Sequence, residues 1–276
     1  MKHRITIACT LVGLHLAPMA IADPVADAAA LYDALSLDRT IAVMREEGLA
    51  YGEELGAEML PAGATAEWAQ VVSDIYDVDR MAETVRANFA AEIADDDLGQ
   101  MLAFFDTARG AAIIDMEIDA PEAMLDESVD EASRDAAALA KMDQTPRFQA
   151  LEQFVEANDL IESNVVGALN SSYAFYLGLI DGGAMPAGVT TETALSDVWS
   201  QEAEIRDSTT EWIYAFLLLA YEDLADEDLA AYTDFSRSEA GQDLNEALFV
   251  AFDRMFDDIS RALGLASARY MVSQEL

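Results

Sequence analysis

One stretch of this sequence occurs twice, and that recurrence constrains the fold more than any other feature. Ile93–Leu98 matches Leu224–Leu229, 131 residues further along the chain. Three further pairs share this offset: Trp68 and Trp199, Phe104 and Phe235, and Gly110 and Gly241. Because self-similarity at a fixed spacing is the sequence signature of a repeated structural unit, we predict two copies of one building block.

The offset is smaller near the start of each copy. Ala30–Leu31 pairs with Ala150–Leu151 at an offset of 120. The difference of 11 residues predicts an insertion in the second copy around Ile180–Gly188. Pro146 is expected to interrupt a helix, so the boundary between copies is placed near Gln144–Arg147. The predicted units are residues 23–145 and 146–276.

Each copy is predicted to be helical. Apolar residues recur every three or four positions in 71–89 and again in 205–220, which is the period of one helical face. Prolines are widely spaced, and no alternating strand pattern or Asn-Gly or Asp-Gly hairpin signal interrupts the helical stretches. The predicted fold class is all-α, a helical bundle made of two tandem, related helical repeats that follow a cleaved signal peptide.

The best-defined motif within each copy is Phe-x-x-Ser/Thr-x-x-Gly. Thr107 is a good N-cap for a helix, and Gly110 would lie in its first turn, where the absence of a side chain lets another helix approach. The second copy has the same pattern in Phe235, Ser238 and Gly241. Each motif is therefore predicted to join a short helix to a long one, 107 to about 143 with a kink at Pro121 and 238 to about 273.

Acidic residues precede the short helix of each motif. Asp95–Asp97 and Asp226–Asp228 are placed to accept hydrogen bonds from free backbone N–H groups and to complement the helix dipole. The alternative is a calcium loop, but neither triplet has the Asp-x-Asp-x-Asp-Gly spacing or the late bidentate glutamate. Helix capping is the favoured interpretation.

These recurring segments resemble the bacterial domain-of-unknown-function family number 2059. The resemblance covers Ile93–Gly110 and Leu224–Gly241, in which the Phe-x-x-Ser/Thr-x-x-Gly motif opens a long helix. It implies small, all-helical, secreted domains and no particular activity. The chain departs from the family at the helix cap, where Thr is usual, and after the Phe, where Tyr is usual; the residues here are Ala94, Ala225, Phe105 and Ser236. We expect Asp95 and Asp226 to take over the cap.

The first residues have the three parts of a secretory signal peptide. A basic start, Met1–Arg4, is followed by the apolar stretch Ile5–Leu16 and by a small-x-small cleavage site, Ala20–Ala22. Residues 1–22 are therefore predicted to be a signal peptide that directs the protein to the periplasm, and no membrane span is expected in the mature chain. Lipid attachment at Cys9 is the alternative, although only four residues separate Cys9 from Arg4.

The mature chain lacks the residues of several common reactions. It contains no histidine and no cysteine, and its single lysine is Lys141. This composition excludes a Ser-His-Asp triad, a thiolate nucleophile and the usual zinc or haem sites. The net charge of −38 and the scattered arginines also exclude nucleic acid as a partner. Carboxylate chemistry remains possible, either glycoside cleavage or calcium binding.

Two local patterns suggest ligands but have simpler explanations. Glu162–Asn164 resembles the Glu-Ser segment of lytic transglycosylases, yet a surface glutamate on a helix is the favoured interpretation. The tryptophans are candidates for an aromatic platform, with packing between helices favoured for Trp68 and Trp199. The cluster at 173–176 is a candidate partner surface, with core packing favoured.

The sequence therefore predicts a secreted, acidic, non-catalytic binding or structural module of the bacterial cell envelope. The alternatives are a carboxylate-only hydrolase of peptidoglycan and a weak divalent-cation binder. We assign no catalytic, cofactor-binding or metal-ligating residues and expect no cofactor. The expected partner is an envelope protein or ligand whose identity the sequence does not give.

Overall fold

Cap and turn residues divide the chain into a succession of α-helices. The computed structural model describes residues 24–60, 63–93, 98–186 and 188–273. The predicted signal peptide and Asp95–Asp97 lie outside these ranges. Within them the chain is all-α, and the helices are α1 (Pro24–Ala34), α2 (Leu37–Met59), α3 (Ala66–Ile75), α4 (Val78–Glu92), α5 (Leu98–Phe105), α6 (Ala108–Met124), α7 (Glu127–Asp143), α8 (Pro146–Ala157), α9 (Leu160–Asp181), α10 (Thr191–Trp199), α11 (Glu202–Ala220), α12 (Asp226–Ser236) and α13 (Glu239–Ser273).

The all-α fold class is confirmed, but two of the expected helices are each divided in two. Residues 71–89 span α3 and α4, because Asp77 accepts a hydrogen bond from the backbone N–H of Arg80 at 2.9 Å and starts a new helix. The long helix expected from 107 to 143 ends at Met124 and restarts after Asp126, which caps α7. Pro121 lies within α6. Among the described residues no helix has the length and apolarity that crossing a membrane requires.

The two halves of the chain have helices in the same order. α1 to α5 precede the motif turn before α6, and α8 to α12 precede the motif turn before α13. The turns between α1 and α2 and between α8 and α9 each hold one left-handed residue before the second helix, Ser36 with φ 51° and Asp159 with φ 47°. Thr65 and Thr190 occupy the N-caps of α3 and α10 and bond in the same way.

The separations between these landmarks differ from the offsets in the sequence pattern. Ser36 and Asp159 are 123 residues apart, whereas the sequence pairing near Ala30–Leu31 gives 120. The N-caps Thr65 and Thr190 are 125 apart. These two separations differ by two residues across Ile180–Gly188, and the predicted 11-residue insertion there stays a prediction. α11 has 19 residues against 15 in α4.

The two tryptophans do not occupy equivalent environments, so the prediction of packing between helices is wrong for one of them. Trp68 is the third residue of α3; it is fully buried, and its Nε1–H donates to the carbonyl of Gly52 at 2.6 Å. Trp199 is the last residue of α10, and 58% of it is exposed. Their shared offset of 131 therefore places them at different positions within their helices.

The two motif turns, in contrast, have the same geometry. The Thr107 Oγ1 accepts a hydrogen bond from the N–H of Gly110 at 3.0 Å and donates to the carbonyl of Phe104 at 2.7 Å. The Ser238 Oγ accepts from Gly241 at 3.1 Å and donates to the carbonyl of Phe235 at 2.6 Å. Both predicted N-caps are confirmed.

The two motifs also meet each other. The rings of Phe104 and Phe235 are stacked with centroids 4.5 Å apart and an interplanar angle of 21°. Arg109, in the first motif, forms an ion pair with Asp228 at the start of α12 at 2.5 Å. From this junction the long helices cross to the opposite half: α13 packs against α4, while α6 and α7 pack against α11. The most extensive packing joins α13 to α9.

Both motif glycines are required by close backbone contacts. A Cβ added to Gly110 would lie 2.5 Å from the carbonyl oxygen of Phe104, and one added to Gly241 would lie 2.1 Å from that of Phe235. The backbone that approaches each glycine therefore belongs to the end of the preceding short helix. The sequence had suggested that a separate helix would approach there.

We expect Gly241→Ala to lower the free energy of unfolding by about 2 kcal/mol, because the new methyl group would force the α12–α13 turn open. Urea denaturation followed by circular dichroism measures the loss. Glu246→Ala, an exposed substitution on the same helix, is the control and is expected to change stability by less than about 0.5 kcal/mol. A Gly241→Ala variant as stable as the wild type would contradict the tight turn.

Candidate functional site

A cavity of about 190 Å³ lies where the two halves meet, and we call it the central cavity. Six elements contribute to it: the α1–α2 turn, α2, α5, α6, α12 and α13, with one residue from the α8–α9 turn. Most of its wall is apolar, formed by Leu35, Leu37, Phe105, Ile114, Ile118, Phe235, Leu244, Leu248 and Phe252. The polar lining residues are Thr40, Glu117, Asn158, Tyr232, Ser236 and Asn245.

Glu117 on α6 is the charged residue of this wall. Its carboxylate accepts a hydrogen bond from the hydroxyl of Tyr221, which follows α11, and another from Tyr232 on α12. Burial raises the pKa of Glu117 to about 7, although the two tyrosine hydroxyls act in the opposite direction. No basic residue contributes to the shift. The carboxyl group therefore titrates near neutral pH.

The local sequence explains why a glutamate points inward. Glu117 is three or four residues from Ile113, Ile114 and Pro121, and it precedes Ile118, so it lies on the apolar face of α6. Ile113, Ile114 and Ile118 are all buried. Pro121 lacks the N–H that would bond to the carbonyl of Glu117, so the helix is also weakened at this point.

The remaining polar groups of the cavity are neutral. The side-chain amide of Asn158 donates to the carbonyl of Phe154 at 2.9 Å, and that of Asn245 donates to the carbonyl of Asn158 at 2.9 Å. The two asparagines thereby tie the α8–α9 turn to α13. Together with Thr40 and Ser236, they provide hydrogen-bonding groups in the cavity wall.

The described lining of the central cavity lacks the pair of carboxyl groups that glycosidases use. Those enzymes place two carboxyl groups about 5–10 Å apart across the scissile bond. Among the described residues that line this cavity, Glu117 is the only carboxylate. A single carboxyl group with a near-neutral pKa, two tyrosine hydroxyls and an apolar wall is instead suited to holding a small molecule.

The candidates named from the sequence lie elsewhere. Glu162 is in the first turn of α9, half-exposed and paired with Arg206 at 2.8 Å, which confirms it as a surface glutamate. Tyr173 and Tyr176 are partly buried against one small core cluster and Phe175 against the main one, as core packing predicts. Trp212 is exposed and stacks on Phe216, with centroids 5.3 Å apart.

The expected cap at Asp226 is wrong. Ala225 is the N-cap of α12 and provides no side-chain hydrogen bond. Asp226 lies in the first turn, where its charge favours the helix dipole, and it is 3.3 Å from Arg147. Within the described ranges no group of three or more acidic side chains is arranged to hold a metal ion.

Sequence reasoning missed Glu117, although a signal for it was present. Glu117 lies four residues after Ile113 and three after Ile114. Residues at these spacings share one face of an amphipathic helix, and a face that carries isoleucines is expected to be buried. Its partners give no such signal, because Tyr221 is 104 residues away in the chain. Comparison of the chain with protein-family models, with curated proteins and with solved structures found no match.

The raised pKa of Glu117 predicts a pH-dependent stability. Its stabilising contribution is complete below the unfolded-state pKa of 4.5 and is lost as pH rises through about 7. Between pH 4.5 and 8 we therefore expect Glu117→Gln to gain about 3 kcal/mol in free energy of unfolding relative to the wild type. Urea denaturation across this pH range measures the difference between the two proteins.

Glu122→Gln removes the same charge from the exposed side of α6 and is the matched control. This variant also corrects for the general effect of the acidic net charge. Between pH 4.5 and 8, its free energy of unfolding relative to the wild type should not rise by the roughly 3 kcal/mol expected for Glu117→Gln. If Glu117→Gln follows the pH dependence of Glu122→Gln, the carboxyl group is not buried as described.

Proposed function

We propose that the protein is a non-catalytic ligand-binding module of the bacterial cell envelope. The observation that carries this proposal is the central cavity, which has an apolar wall, neutral hydrogen-bonding groups and one isolated carboxyl group, Glu117. Residues 1–22 would serve as the export signal, and residues 23–145 and 146–276 would be two copies of one helical unit. The resemblance to family number 2059 favours the same compartment.

A duplication is supported by details that helix order alone does not require. The left-handed turn before α2 recurs before α9, and the capped turn before α6 recurs before α13. The two capped turns meet through the stacked rings of Phe104 and Phe235. A two-fold arrangement of related units brings equivalent surfaces together in this way.

If the halves are duplicates, their equivalent positions differ in chemistry at the cavity. At the offset of 131, Phe105 corresponds to Ser236, Ile114 to Asn245 and Leu248 to Glu117; at 123, Leu35 corresponds to Asn158. All eight line the central cavity, and each pair has one apolar and one polar member. Polar groups in a buried wall disfavour folding, so their presence is better explained by a ligand than by stability.

Export is tested by the mature N-terminus. When the full chain is expressed in a Gram-negative host, we expect the protein in the periplasmic fraction to begin at Asp23, because the bond after Ala22 is the predicted cleavage site. Edman sequencing of the purified protein identifies its first residue. Retention of residues 1–22 in a cytoplasmic product would contradict the proposed compartment.

Binding without catalysis is tested on the purified mature protein. We expect benzyl alcohol, a small uncharged amphiphile, to bind in the central cavity, so that amide chemical-shift changes in a ¹H–¹⁵N spectrum are concentrated at its lining residues. Ile114→Phe fills the cavity and should abolish these changes, whereas Ala112→Phe, at an exposed site on the same helix, should leave them intact.

In a parallel incubation, the protein should release no soluble fragments from peptidoglycan, while a lysozyme control does. Release of fragments would favour the hydrolase alternative. Failure of benzyl alcohol and of charged analogues to bind would remove the central cavity as the functional site.

A further inference from the structure

We infer that the central cavity selects a small organic cation, a protonated amine on a compact hydrocarbon or aromatic body. This inference rests on the proposed binding function and specifies the chemistry of its ligand. It is carried by the juxtaposition of the isolated Glu117 carboxylate with aromatic rings and apolar side chains in one cavity.

The first argument is charge. The described lining of the cavity holds one ionisable acid, Glu117, and no basic residue. The groups that hydrogen-bond to this carboxylate are the neutral hydroxyls of Tyr221 and Tyr232. Glu117 is half-buried, and a carboxylate partly withdrawn from water without a cation beside it is unfavourable. A ligand that supplies the positive charge relieves that cost.

The nearby cation is already engaged on the other side of α6. Arg39, one residue before the lining residue Thr40, binds Asp115 at 2.5 Å and Asp119 at 3.3 Å. These aspartates are exposed and lie two residues to either side of Glu117. Arg39 is therefore held at the outer surface of α6, and it does not pair with the Glu117 carboxylate that lines the cavity.

The second argument is the aromatic content of the wall. Phe105, Tyr232, Phe235 and Phe252 all line the cavity. An ammonium group is attracted to the faces of such rings, and this attraction is stronger where water is excluded. Neutral Thr40, Asn158, Ser236 and Asn245 provide acceptors for the remaining N–H bonds of an amine.

The volume of the cavity and the negative charge of the protein also favour a small organic cation. A volume of about 190 Å³ exceeds the roughly 150 Å³ of an engineered cavity that accepts benzene, so a single substituted ring or a short branched chain fits. The net charge of −38 raises the local concentration of cations around the protein and repels anions. The negative field and the Glu117 carboxylate both disfavour carboxylate or phosphate ligands.

Calorimetric titration with benzylamine and with its neutral analogue benzyl alcohol tests the inference. At pH 8 we expect benzylamine to bind at least about ten-fold more tightly, because only the ammonium group pairs with the carboxylate. Its affinity should rise about ten-fold from pH 6 to pH 8 as Glu117 ionises, while that of benzyl alcohol should not rise. At pH 7, binding should release about half a proton, seen as a dependence of the heat on the buffer.

Glu117→Gln should reduce benzylamine affinity at pH 8 by about ten-fold and remove its pH dependence, whereas Glu122→Gln should change neither. The comparison of the two ligands on the wild-type protein remains decisive if the Glu117 variant does not fold. Equal affinities for the amine and the alcohol would overturn the cation inference and leave the binding function in place. Binding of neither molecule would overturn both.

Discussion

The structure depends on the stacking of Phe104 on Phe235. Each ring lies near the end of a short helix, and each is held there by a turn in which a hydroxyl group caps the next helix and a glycine admits the preceding backbone. Stacking joins the two turns back to back. The caps set where α6 and α13 begin; α6 then packs against α11, and α13 packs against both α9 and α4.

The central cavity follows from that arrangement. Where α6 passes α11 and α12, Glu117 enters a wall shared by both halves and meets the hydroxyls of Tyr221 and Tyr232. The α1–α2 and α8–α9 turns contribute Leu35 and Asn158 to the same wall. The junction thus produces a cavity whose wall combines apolar side chains with hydrogen-bonding groups.

The sequence predicted well those features that depend on neighbouring residues. The caps at Thr107 and Ser238, the turn glycines and the extent of α13 were all expected, because a cap needs only the hydroxyl and the N–H three residues later. The breaks at Asp77 and Asp126 were missed, since an apolar period continues across a capped turn. Trp199 was misjudged because an offset in sequence does not specify burial.

The candidate site was beyond sequence reasoning for a different reason. Glu117 lies on the apolar face of α6, so its inward direction follows from helical periodicity alone. Its raised pKa does not, because the surrounding wall comes from several separate elements and its hydrogen-bond partner Tyr221 is 104 residues away in the chain. By itself, the sequence determined the helical class, the caps and the excluded chemistries, which are properties of composition and short-range spacing. Tertiary packing decided which helix faces meet, and therefore that one carboxyl group among 53 acidic residues is enclosed with tyrosine hydroxyls and phenylalanine rings.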